Sequence, residues 1–380
     1  MSKRCAIIFG ANGISGIAMT KVLLESDEWS PIICVSRRPP QLEETSANSR
    51  IQFVSIDMVK SSADELASKI SAAGGAVAQH AYFYTYLEKQ DPKEHIEINK
   101  MLLEKALHAV SLVSPKLKSF MLQTGYKHYG NHLGGDKMVH DYPWKEDAPR
   151  VFKDNFYFHQ EDLLYEYAVN KNWRWLVTRP NVILGVSKGN YMNFGVSIAL
   201  YAALQKSLGR EFIFPGNEVE YNAIFDHSSA DNNCRFQEYL SLNDKIPSGA
   251  FNICNNDKPK FSELWPKIAN YFGLKLPEPL FRDEKAKHPE PNSVYCQLPL
   301  TEYAEKEKKA WYNIAEKNGL DTNAYDYATW QFVDAVAGRT WPDEASMEKA
   351  AKYGWTRKVD TIQEYYKLFD ELKKMKVIPK

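Results

Sequence analysis

One β-α-β unit at the start of the sequence fixes the architecture that the rest of the chain must complete. Arg4-Cys-Ala-Ile-Ile-Phe9 is an apolar run of strand length, and Gly10-Ala-Asn-Gly13-Ile-Ser-Gly16 follows it at once. Ile14, Ile17, Ala18, Leu23 and Leu24 then recur at helical spacing, and Pro31-Ile-Ile-Cys-Val35 reads as a second buried strand. Glycines between a strand and a helix permit a tight turn and let the backbone approach a pyrophosphate, which the free amides and dipole of the helix N-terminus favour. The end of the second strand is where such a unit reads the adenosine ribose. An acidic residue there accepts from a 2′-hydroxyl, whereas Ser36-Arg37-Arg38 offers two guanidiniums to a 2′-phosphate. The cofactor expected from these residues is NADPH, held through Gly10, Gly13, Gly16, Ser36, Arg37 and Arg38.

The alternation continues. Ile51 to Ile56 reads as a third strand, with a helical stretch through Leu66 and Ile70 after it, and Ala81-Tyr-Phe-Tyr-Thr-Tyr86 as a fourth. Asp91-Pro92 caps and opens a helix carrying Ile96, Met101, Leu102, Leu103 and Ala106, and Ser119–Gln123 and Trp173–Thr178 are two further strands. Strands alternating with helices imply a Rossmann-type α/β fold: a doubly wound parallel sheet with ligands at the carboxyl ends of its strands. At 380 residues the chain exceeds one core, so a smaller, mostly helical substrate lobe is expected beside the sheet. Residues 1–185 and 219–253 form the nucleotide-binding part on this reading, with Tyr221-Asn-Ala-Ile-Phe225 and Ala250-Phe-Asn-Ile253 as strands. Residues 186–218 and 254–380 form the lid.

Composition excludes several classes. Lys plus Arg and Asp plus Glu number 48 each, which argues against nucleic acid or an anionic membrane as partner. No apolar run approaches the roughly 20 residues of a transmembrane helix, and Met-Ser-Lys-Arg leads straight into a strand, so a cytoplasmic protein is the expectation. The five cysteines lack paired spacing, so neither a disulfide framework nor a zinc site is expected. His128 and His132 are four apart, yet Gly130, Gly134 and Gly135 oppose a continuous helix there, and no metal is assigned.

Three strand ends carry polar clusters: Thr85-Tyr86, then Gln123-Thr-Gly-Tyr-Lys127-His-Tyr129, then Arg179-Pro-Asn-Val-Ile183-Leu-Gly185. Between the last two, Asn155-Phe-Tyr157-Phe-His-Gln-Glu161-Asp162 opens a helix. Ordinary short-chain dehydrogenases place a lysine four residues after the catalytic tyrosine, so that the ammonium lowers the phenol's pKa. Here that position is Glu161, and Glu161-Asp162 reads as helix-N-terminal charge favoured by the dipole.

Thr-Gly-Tyr-Lys-His-Tyr at 124–129, Asn-Phe-Tyr at 155–157, Ser-Arg-Arg at 36–38 and Gly-x-x-Gly-x-x-Gly together resemble the progesterone 5β-reductase/iridoid synthase family. That family comprises atypical extended short-chain dehydrogenases that reduce enone carbon-carbon double bonds with NADPH. The likeness runs on through Asp226-His-Ser-Ser-Ala-Asp231, Trp311 to Gly319 and Gly354-Trp355, and so spans essentially the whole chain. It implies Tyr157 and Lys127 as catalytic residues. It further implies cofactor contacts from Asn12, Gly13, Ile14, Arg37, Arg38, Asp57, Met58, Thr85, Tyr86, Gln123, Thr124, Tyr157 and Ile183, with Asn190, Tyr191 and Met192 closing over the cofactor.

The chemistry so implied is 1,4-reduction of an α,β-unsaturated carbonyl, with Tyr157 hydrogen-bonding the oxygen as enolate charge develops. Tyr191-Met-Asn-Phe-Gly195 and the helix Val196 to Leu208, with Leu200, Tyr201 and Leu204, are expected as an apolar wall over the nicotinamide, and the substrate as a mid-sized hydrophobic enone or enal. Two alternatives stay open: a carbonyl reductase or non-reductive cyclase or isomerase on the same scaffold, and an NADPH-sensing regulatory protein. A homodimer is compatible with the sequence, which does not specify oligomeric state.

Overall fold

The computed structural model describes residues 3–42 and 48–380. The described residues form nine strands: β1 (Arg4–Phe9), β2 (Trp29–Ser36), β3 (Ile51–Ser55), β4 (His80–Phe83), β5 (Ser119–Gln123), β6 (Arg174–Pro180), β7 (Val182–Leu184), β8 (His227–Ser229) and β9 (Gly249–Ile253). Seven of them form one parallel sheet in the order β3-β2-β1-β4-β5-β6-β9, and β7 and β8 pair separately. Alternation along the strands divides two cores. Ile7, Phe9, Ile33 and Val35 face helices α2 (Ala63–Ala72), α3 (Pro92–Val113) and α4 (Phe156–Ala168), as shown by their shared cluster. Ala6, Ile8, Ile32 and Cys34 share the opposite core with residues of α1 (Ile14–Leu24). Such burial on both faces is what continuous apolar strands require. The expected Rossmann-type, doubly wound sheet is therefore the observed one.

A third core gathers β7, α5 (Phe194–Leu208) and the C-terminal helices Leu300–Asn318, Trp330–Ala337 and Thr361–Lys374. Helix α5 is apolar all round and almost entirely buried in this core, as such a helix must be. Leu200, Tyr201 and Leu204 lie in its interior and do not line the strand-end cavity, so of the expected wall only Tyr191 and Met192 reach it. Tyr221 to Phe225 is not a strand either. The Asn217 side chain accepts from Glu220 N (3.0 Å), capping a short helix, α6 (Glu218–Asn222). Strand β4 stops at Phe83 rather than Tyr86: Tyr84 N makes a last bond to Phe9 O (3.0 Å), and β1 ends there in the turn at Gly10. Met347 and Ala350, late in the chain, return to pack on the sheet. Among the described residues, no helix is long and apolar enough to cross a membrane.

The glycine turn is sterically specified. Gly10 has φ +78°, and a Cβ there would lie 3.0 Å from Thr85 N. At Gly16 a Cβ would lie 2.3 Å from Gly10 O and 2.6 Å from Ala11 Cα, so this glycine lets α1 pack directly on the turn. Gly16→Ala is expected to cost about 1–3 kcal/mol through forced separation of helix and turn. Thermal unfolding checks this: an unchanged Tm would show that the contact relaxes without cost.

Candidate active site

A cavity of about 320 Å³ opens at the carboxyl ends of the parallel strands, where ligands of open α/β sheets bind. It brings together Gly10, Asn12, Gly13, Ile14, Ser36, Arg37, Asp57, Met58, Thr85, Tyr86, Gln123, Thr124, Lys127, Tyr157, Ile183, Asn190, Tyr191 and Met192. Two sequence-derived contacts fall outside it. Gly16 sits behind the turn, where its lack of a side chain serves helix packing. Arg38 is exposed and does not contribute to the lining, leaving Arg37 as the guanidinium on the wall.

At the glycine-rich end, α1 starts without a side-chain cap, and Ile14 N donates to Asn190 Oδ1 over a long 3.3 Å. An uncapped helix start of this kind suits a pyrophosphate. Gln123 is held by Ser15 and Gln237, its Nε2 donating to Ser15 Oγ (2.9 Å) and its Oε1 accepting from Gln237 Nε2 (3.0 Å). Arg37 is exposed and lines the cavity.

Tyr157 and Lys127 come from different elements and are joined through Asn155. The Asn155 side chain caps α4 by accepting from Tyr157 N (3.0 Å) and donates through Nδ2 to Lys127 O (2.8 Å). One amide thus sets both residues. Gly125 leaves room for the phenol: a Cβ there would lie 3.3 Å from Tyr157 Oη and 3.1 Å from Pro180 O. Burial, reinforced by the negative charges of Glu88 and Glu161, raises the Tyr157 phenol above its ordinary value, so it remains a donor. Burial lowers the Lys127 ammonium from its ordinary value, Glu88 pulls it back up, and the Arg339 charge lowers it further. Lys127 Nζ lies 6.0 Å from the centre of the Tyr86 ring.

Glu161 is not a solvated helix-end charge. It is 1% exposed, one turn beyond Tyr157, and points inward. Arg179, on β6, donates to it from Nε (3.3 Å) and Nη2 (3.1 Å to Oε1, 3.3 Å to Oε2). Arg179 Nη1 also reaches Glu146 O (3.0 Å) and Tyr129 Oη (3.3 Å). His128 Nδ1, beside Lys127, is 3.3 Å from Glu161 Oε1. The position that holds lysine in ordinary short-chain dehydrogenases therefore ties α4, β6 and the 3₁₀ turn Tyr126–Tyr129 together. Sequence pattern gave no sign of this, since an acidic residue near a helix start reads the same whether it is solvated or paired inside.

The wall near Lys127 also holds Asn131, Asn181, Phe332 and Arg339, whose roles no local motif announces. Behind them Asp343 is fully buried, accepting from Asn131 Nδ2 (3.1 Å), Asn181 Nδ2 (3.1 Å) and Arg339 Nη1 (2.6 Å). Asp226, also buried, accepts from Tyr126 Oη (2.9 Å) and Ala345 N (2.8 Å). Among the described residues, no three His, Cys, Asp or Glu side chains are arranged to hold a metal ion.

Burial alone would raise the Glu161 carboxyl, but Arg179 and His128 hold it down to about 2. Unfolded, it titrates near about 4.3. Its stabilising contribution is thus complete above that value and is lost as pH falls from about 5 towards 2. Tm measured across this window should fall in the wild type. Glu161→Gln should show a lower Tm at pH 7, since the change strands the buried Arg179, and a flatter acid limb; an acid limb identical to wild type would remove the ion pair from the account.

The family profile described as a PRISE-like Rossmann-fold domain matches residues 6–379. The chain is 33% identical over 387 residues to the short chain dehydrogenase gsfE of Penicillium aethiopicum, covering 99% of this chain and 100% of the relative. It is 29% identical over 381 residues to a 3-oxo-Delta(4,5)-steroid 5-beta-reductase of Arabidopsis thaliana, covering 98% of this chain and 93% of the relative. Among solved structures, dTDP-glucose 4,6-dehydratase from Bacillus anthracis in complex with NAD matches with a TM-score of 0.63 at 12% identity, over 98% of this chain and 97% of that one. At that identity the likeness is one of fold.

Proposed function

The chain belongs to the PRISE-like Rossmann-fold family, and from that premise we propose that it is an NADPH-dependent reductase of activated carbon-carbon double bonds. The observation that carries the reading is the convergence of the Tyr157 phenol and the Lys127 ammonium on one cavity, with Glu161 rather than a lysine four residues after Tyr157. The Arabidopsis relative's name, a steroid 5-beta-reductase, agrees with it. NADPH rather than NADH is supported by Arg37 on the cavity wall, with Ser36 beside it and no acidic residue at that strand end. The uncapped start of α1, with Gly10, Asn12 and Gly13, would hold the pyrophosphate, and Thr85, Tyr86, Gln123 and Ile183 would flank the nicotinamide half.

When bound, the reduced nicotinamide supplies a hydride for the β-carbon of an α,β-unsaturated carbonyl substrate. The chain's own residues manage the charge that results. Tyr157 Oη donates to the carbonyl oxygen, and its hydrogen bond strengthens as the oxygen becomes an enolate. A phenol raised above its ordinary pKa by burial stays protonated and is suited to that role. Lys127 adds positive potential beside it. The cavity wall of Phe156, Tyr191 and Met192 limits water at the reacting face.

NADPH consumption with an enal and with the corresponding saturated aldehyde tests the reading. Turnover of the enal, with the saturated aldehyde as product, is expected, and reduction of the saturated aldehyde alone would indicate a carbonyl reductase instead. Tyr157→Phe should lower kcat by about 10²-fold or more while NADPH still binds. Arg37→Ala should weaken NADPH by about tenfold or more, since charge-assisted hydrogen bonds are worth about 1.5–3 kcal/mol, and leave NADH affinity nearly unchanged. Equal loss for both coenzymes would remove Arg37 as the 2′-phosphate ligand.

A further inference from the structure

The cavity carries a cation that the reduction chemistry leaves unused. Arg339 follows the helix Trp330–Ala337, is 5% exposed, and lines the cavity with Asn131, Asn181 and Phe332. A guanidinium has five N–H donors. Among the described residues Arg339 commits one bond, from Nη1 to Asp343 Oδ2 at 2.6 Å. Arg179, the other arginine buried at this end of the sheet, donates from Nε, Nη1 and Nη2 to protein acceptors. Two arginines with nearly the same burial thus differ in how far the protein satisfies them. None of the remaining Arg339 nitrogens is among the buried unpartnered atoms, so its free donors open onto the cavity, where a ligand or water can accept from them.

The surroundings favour an anion as that ligand. Asp343 offsets part of the charge, but its oxygens are already shared with Asn131 and Asn181. The buried carboxyls beside the pair are Asp226 and Glu220, while Glu88, which accepts from the Tyr86 hydroxyl, acts on Lys127 and Tyr157. Burial pushes Asp226 up to about 7 and Glu220 well above the carboxylate range, so neither carries a full negative charge at neutral pH. Glu220 has no hydrogen-bond partner for either oxygen among the described residues, in keeping with a neutral acid. Lys127 adds a second positive charge on the same wall. Phe332 and Met192 supply apolar surface in the same cavity.

We propose, building on the enone-reductase reading, that the substrate is an α,β-unsaturated carbonyl compound bearing a carboxylate, which the free edge of the Arg339 guanidinium receives while Tyr157 holds the carbonyl oxygen. A planar fork of donors matches a carboxylate in two parallel hydrogen bonds, which fixes orientation as well as affinity. Arg339 is then a specificity residue, distinct from the pair that manages the enolate.

Binding tests this without turnover. Calorimetry on the NADP⁺-loaded protein compares a saturated keto acid with its methyl ester, and the acid is expected to bind at least about tenfold tighter. In Arg339→Met combined with Asp343→Asn, which removes both members of the pair and strands neither charge, the ratio should fall to about one. Arg339→Lys, the milder change, should reduce the ratio severalfold because a point charge cannot form the fork, and it decides the matter if the double variant does not fold. An ester that binds as well as the acid, or variants that keep the wild-type preference, would overturn the proposal. Parallel assays of NADPH consumption with the unsaturated acid and its ester separate the two claims. Tight binding of the acid with no NADPH consumed from either compound refutes the reductase reading and leaves the anion site, whereas turnover with no preference for the acid refutes the site and leaves the reductase.

Discussion

The buried pair of Glu161 and Arg179 is the contact on which the active-site geometry depends. Neither the phenol nor the ammonium is fixed by the element that carries it alone: Tyr157 lies in the first turn of α4, and Lys127 in a 3₁₀ turn after β5. Glu161 draws that helix onto β6 through Arg179 and keeps His128, the residue after Lys127, alongside. Taking both charges out of water is expensive, and the geometry is retained because several hydrogen bonds act on the same carboxylate. Asn155 completes the arrangement at shorter range, with one amide bonding the start of α4 and the backbone of Lys127.

This explains how the chain dispenses with a tyrosine and lysine one helical turn apart. In that usual arrangement a single helix positions both groups, and nothing else is needed. On the proposed reading Lys127 in the neighbouring turn takes the lysine's part, and the helix position four after Tyr157 holds an anchor, Glu161, instead. The acidic residue that fills it faces away from the cavity into the protein, where a lysine would have no partner beside Arg179. The exchange is chemically coherent: the cation moves to the cavity wall, and the anion moves behind it to fix the wall.

Charge along the cavity follows the same economy. Arg37 stands at the open rim, Lys127 over the Tyr86 ring, and Arg339 against Asp343. The first is exposed and can exchange partners with water; the other two lie in surroundings that burial makes poor in solvent. Interactions are stronger there, because less water competes. The buried carboxyls beside Arg339 are raised by burial or already bonded, whereas Glu88 offsets part of the charge of Lys127.

The sheet and its glycine turn were legible in the sequence, because local rules govern them: apolar runs mark buried strands, and a turn pressed against the strand-end backbone at Thr85 and against its own helix leaves no space for side chains at Gly10 and Gly16. The motifs around Lys127 and Tyr157 were legible too, being contiguous. What remained hidden depends on contacts between distant segments. That α5 forms the interior of the helical lobe, rather than a wall over the cofactor, follows from the C-terminal helices that cover its remaining faces. Whether Glu161 is solvated or paired is decided by where β6 places Arg179, and Arg339 joins the cavity only because the chain returns to it after the lobe is built. A side chain's identity is local information, but its partner, its solvent and hence its charge state belong to the packed fold.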